Sequence, residues 1–82
     1  MTLFKRLWND FVTSCLTKCI ELNETSSTVE YSYEYDKDSI TINAMDKTTM
    51  NVKSLDYSRE EYEASNMKLD DIINKIFNTI EF

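Results

Sequence analysis

Among the side chains that carry out chemistry in proteins, this chain offers 15 acids, 9 bases, two cysteines and five tyrosines, and no histidine. Without imidazole, acid–base catalysis would fall to carboxylates, lysine or tyrosine, and none of these stands beside a nucleophile in a recognisable arrangement. Glycine is also absent, so no glycine-rich loop can bring backbone N–H groups around a phosphate. Cys15 and Cys19 are four residues apart, which places them on one face of a helix but short of the four ligands that a tetrahedral metal site needs. The same spacing does not easily reach disulfide geometry, so both are expected as reduced, buried thiols. No catalytic residue, no metal site and no cofactor are therefore expected. The chain should work through its surface, by binding.

The acids are the next group to place. The net charge is −6, yet residues 1–20 hold Lys5, Arg6 and Lys18 against Asp10 alone, so nearly all of the acid excess begins at Glu21. A protein that grips nucleic acid directly shows the opposite sign. Glu30 and Glu34 alternate with tyrosines, and Asp36 and Asp38 follow at once. On an extended strand, alternate residues lie ~6.6–6.8 Å apart, of the same order as successive phosphates along a nucleic-acid backbone. A second acidic group, Glu60, Glu61 and Glu63, opens the last helical segment. These seven residues are the candidate partner-binding set. The competing reading is an ordinary solvated sheet face.

The elements that must position them follow from periodicity. Leu3, Phe4, Leu7, Trp8, Phe11, Val12, Cys15, Leu16, Cys19 and Ile20 recur in pairs every fourth residue, an amphipathic helix whose stripe winds slowly because a repeat of four overshoots 3.6. From Thr28 to Tyr35 the period becomes two, with Val29, Tyr31, Tyr33 and Tyr35 on one face, a half-buried strand. Asp36-Lys37-Asp38-Ser39 reads as a turn into a second strand through Ile40, Ile42 and Ala44, and Asp46-Lys47 as a turn into a third around Thr48 to Lys53, with Met50 and Val52 inward. Ser58-Arg59-Glu60-Glu61 matches a capping box, with Tyr57 and Tyr62 placed as a hydrophobic staple. A helical stripe of Tyr62, Leu69, Ile72, Ile73, Ile76, Phe77 and Ile80 then runs to the C-terminus, with a break expected at Ser65-Asn66. Three tyrosines in a row are awkward to bury, since each hydroxyl needs a partner, so at least one should reach the rim.

The 82 residues fit one hydrophobic core, hence a single α+β domain over 1–82 of order αβββα, with the helices on the apolar face of the sheet. Charged residues interrupt the apolar positions of the first segment, so neither a signal peptide nor a membrane span is read there, and the cytoplasm is the expected compartment. The αβββα order resembles that of double-stranded RNA-binding domains. Those domains, however, carry lysines where this chain has Arg59-Glu60-Glu61 and Glu63, and acids there repel phosphate.

In size, charge, composition and layout the chain resembles the small acidic phage-type inhibitors of nucleic-acid enzymes, the anti-CRISPR proteins and other DNA mimics. That resemblance implies a non-catalytic inhibitor seated in the basic nucleic-acid-binding groove of a host protein such as a CRISPR effector nuclease. The alternatives are a structural or homodimeric interaction module joined through the first helix around Trp8 and Phe11, and an acidic immunity protein or antitoxin.

Overall fold

Trp8, Phe11, Val12, Cys15 and Cys19 follow the three-and-four spacing that keeps side chains on one side of a helix, and all five are buried on helix α1, Trp8–Thr25. The computed structural model describes residues 7–82; Leu3 and Phe4 of the expected stripe lie outside the described residues. Leu7 and Ile20 depart from expectation, being exposed at 70% and 52%. At 3.6 residues per turn a strict repeat of four drifts off the core, and Leu16 and Leu22 flank the core while Ile20 faces out. The helix continues to Thr25, beyond the apolar stripe, where the Thr25 hydroxyl donates to the Glu21 and Leu22 carbonyls and the Ser26 N–H to Leu22.

Strands β1 (Val29–Tyr35), β2 (Ser39–Asp46) and β3 (Val52–Ser58) form one antiparallel sheet in the order β1-β2-β3. The first turn is made by Asp36, whose Oδ1 accepts from the Asp38 N–H at 2.8 Å and the Ser39 N–H at 2.9 Å. Asp46 plays the same part in the second turn, accepting from the Thr48 and Thr49 N–H groups. In a chain without glycine, Met50 takes the left-handed position there, at φ 64°.

This turn corrects the expected third strand. Thr48–Met50 belong to the turn, and the strand starts at Val52, with Leu55 and Tyr57 on the core side. Met50 and Val52 are not inward but exposed, at 64% and 56%. The reason is register: Ala44 pairs with Lys53 and Ile42 with Leu55, so the odd-numbered residues of β3 share the face of Ile40, Ile42 and Ala44, and Val52 takes the other.

Ser58 caps α2 (Arg59–Ala64), accepting the Glu61 N–H at 3.0 Å while the Glu61 carboxylate returns to the Ser58 N–H. The expected break is present: Ser65–Lys68 separate α2 from α3 (Leu69–Thr79). Tyr57 and Tyr62 meet through Phe11, whose ring centroid lies 5.4 Å from the first and 4.7 Å from the second. Trp8 closes this aromatic cluster against Tyr62. Burying a side chain such as Phe11 contributes about 1.5–3 kcal/mol. The core therefore lies between the three helices and one face of the sheet, and among the described residues no helix lies on the other face.

Candidate partner-binding surface

This other face is polar except for Met45 and Val52. The register places Glu30, Met45 and Val52 in one row across the sheet, Ser32, Asn43 and Ser54 in the next, and Glu34, Thr41 and Asp56 in a third. The side chains within the rows are tied together. The Asn43 amide donates to the Ser32 hydroxyl and accepts from Ser54, and the Thr41 hydroxyl donates to Asp56. Cross-strand hydroxyl and amide pairs of this kind fix a flat, hydrogen-bonding surface without apolar burial.

Glu30 and Glu34 are both exposed on this face of β1. Ser32 lies between them, so they stand ~13 Å apart, and Glu30 neighbours Met45 and Val52 rather than another acid. The acid density runs across the sheet, from Glu34 to Asp56, and onto the adjoining turn and helix.

That junction joins two segments that are distant in sequence. Ser39 pairs with Ser58, and the Arg59 N–H donates to the Asp38 carbonyl at 2.7 Å, which sets the β1–β2 turn against the start of α2. Glu34, Asp36, Asp38, Asp56, Glu60, Glu61 and Glu63 thereby flank one junction, with Lys37 and Arg59 among them and Lys75 of α3 lining a groove with Asp56 and Glu61. Not all are equally available. Glu61 is engaged in the capping box, Glu63 pairs with Arg59 at 3.5 Å, and the Asp36 carboxylate is turned into its own turn. The Asp38 N–H above all, helped by the Ser39 N–H and hydroxyl and by Lys37, holds Asp36 below the usual carboxylate range.

Asp56 was not among the candidates drawn from the sequence. The alternation of Ser54, Asp56 and Ser58 against Leu55 and Tyr57 would have revealed it, had β3 not been placed several residues too early. Trp8 and Phe11, the proposed helical dimer surface, are buried at 5% and 0% exposure inside the domain, so they are not free to meet a second copy. Cys15 and Cys19 are free thiols in the core; among the described residues no group of three metal-ligating side chains converges, and no helix is long and apolar enough to cross a membrane. Tyr31 is half-buried against Phe77, while Tyr33 and Tyr35 are exposed at 37% and 57%, their rings 6.2 Å apart at the edge of the sheet. No family model, curated protein or solved structure matches the chain.

Proposed function

We propose that this protein is a non-catalytic inhibitor that seats its acidic surface in the basic nucleic-acid-binding groove of another protein, a defence nuclease such as a CRISPR effector being the class of target such a surface suits. The observation that carries this reading is the Asp38–Arg59 backbone bond, which fuses two acidic segments into one surface. Individually, exposed carboxylates contribute little to binding. Held together on a rigid sheet against a basic, partly dehydrated groove, they contribute more and also accelerate encounter. The bare sheet face beside them is rich in hydroxyl and amide groups, which suits a wet, polar interface.

The test is competition. The tagged protein is used to capture its partner from the cells in which it acts, and the partner is then offered nucleic acid. Mutually exclusive binding is expected, weakening with ionic strength. A triple reversal of Glu34, Asp38 and Glu60 to Lys should abolish capture while circular dichroism stays unchanged; Glu61 is left alone because its loss would uncap α2. A partner that binds nucleic acid and this protein simultaneously, or one that holds the reversed variant as tightly as the original, would remove the mimic reading.

A further inference from the structure

Among the described residues, the outer edge of β1 is closed along one half and open along the other. At the closed half, the Asn23 side chain accepts the Tyr31 N–H at 2.7 Å and donates to the Tyr31 carbonyl at 2.9 Å, so one amide on α1 stands where a neighbouring strand would be. The Ser26 hydroxyl accepts the Val29 N–H in the same way. Backbone groups of alternate residues in an antiparallel strand point to the same side. Those of Tyr33 and Tyr35 therefore also face away from β2, and no bond reaches them from the described residues. Unpaired strand edges are templates for another strand, and proteins commonly protect them. Here the protection given by the described residues stops after Tyr31.

What surrounds the open half decides what would cover it. On the core side, the exposed Tyr35 ring, with Asp36 and Lys37, borders a groove whose far wall is Trp8, Val12 and Leu16 of α1, and the exposed Tyr33 ring lies 6.2 Å from that of Tyr35. On the other side stands Glu34, and just beyond the strand come Asp36 and Asp38. A second copy is disfavoured by this arrangement. An antiparallel pairing that used both Tyr33 and Tyr35 would centre on Glu34 and set it directly opposite its own counterpart, and like charges in that position are destabilising. A strand bearing arginine or lysine reverses the sign of that contact. Guanidinium groups on its other face would meet tyrosine rings, to which they are attracted.

We infer that the Tyr33–Tyr35 edge of β1 takes an extended, arginine-rich segment of the partner as a fourth strand, with backbone hydrogen bonds to Tyr33 and Tyr35 and a basic side chain opposite Glu34. This rests on the acidic-surface reading above and gives it a mode of attachment: main-chain pairing supplies affinity, and alternate side chains supply selectivity.

The probe is a capped synthetic peptide alternating arginine and valine, titrated into the full chain labelled for NMR. The expected result is slowed amide exchange at Tyr33 and Tyr35 on binding. Methylating the peptide's backbone nitrogens at the pairing positions keeps its charge and should lower affinity about tenfold through the lost hydrogen bonds. E34K should weaken binding of the unmethylated peptide by a similar factor. The inference is overturned if methylation leaves affinity unchanged, if the protected amides lie elsewhere, or if the peptide does not bind. Those outcomes leave the broader reading to the charge-reversal and competition experiment, which never uses the peptide. Loss of competition there, with protection at Tyr33 and Tyr35 retained, would instead retire the mimic and keep the edge.

Discussion

Burial, with the neighbouring Cys19 adding to it, pushes the Cys15 thiol up to about 12, and burial alone carries Cys19 to about 11. A group whose pKa is raised on folding lends stability that is complete below its unfolded value, here 9.0, and is lost as pH rises toward the folded one. Tyr31 and Tyr57, raised chiefly by burial, act in the same direction. Thermal stability should therefore decline above pH 9, and replacing both cysteines by alanine should flatten that decline; an unchanged slope would count against burial as its cause. Below pH 9 the native protein should resist a thiol reagent that labels it fully in urea, and chelators should leave the melting transition where it is. A second expectation concerns Asn23. Asn23→Ala removes both bonds to Tyr31 and should cost about 1–2 kcal/mol in urea denaturation, with more self-association because the protected half of the edge is opened.

Among the elements, α2 is short enough that its cap matters. Ser58→Ala should destabilise by about 0.5–2 kcal/mol, whereas a shift indistinguishable from zero would mean that tertiary contacts of Tyr62 alone hold the helix. The β2–β3 turn makes the opposite prediction. Met50 holds a left-handed conformation that costs an ordinary residue roughly 1–2 kcal/mol and glycine almost nothing. Met50→Gly should therefore stabilise the protein, by up to about 1 kcal/mol once the extra freedom of unfolded glycine is subtracted. A lower melting temperature for this variant would show that the exposed Met50 side chain makes a contact the turn depends on.

At the scale of the whole molecule, the acidic surface has two opposed consequences for salt. Carboxylates gathered there repel each other, so raising ionic strength should stabilise the isolated protein, while complex formation with a basic partner should weaken. Exchanging Glu34, Asp38 and Glu60 for their amides should reproduce both effects at low salt: a higher melting temperature and a lower partner affinity. Parallel melting and binding measurements on that variant decide the matter. A variant that gains no stability would show that these acids are too far apart to interact. In the acid range the order reverses for Asp36. Its depressed pKa lends stability that is full above the unfolded value of 3.8 and is lost as pH falls below it.

The sequence by itself determined the elements and their faces wherever the hydrophobic period ran long enough to be unambiguous: α1 through Phe11 and Cys19, β1 through its tyrosines, the Ser58 capping box and the break before α3. These are local properties, set by side-chain direction and by short-range hydrogen bonds. Periodicity failed at β3, because Met50 and Val52 imitate an inward pair, and only the pairing of Ile42 with Leu55 fixes which residues face the core. It failed again at Ile20, where the direction of the neighbouring core, not the stripe, decides burial. Tertiary structure decided how the candidate acids group, and added Asp56 to them. Glu34 and Asp56 come from strands that do not touch each other, and Asp38 meets the start of α2, through the Arg59 N–H, only because the sheet closes the β1–β2 turn onto that helix. Asn23 reaches Tyr31 by the packing of helix on strand. Such contacts depend on where the whole chain lies, and no local pattern encodes that.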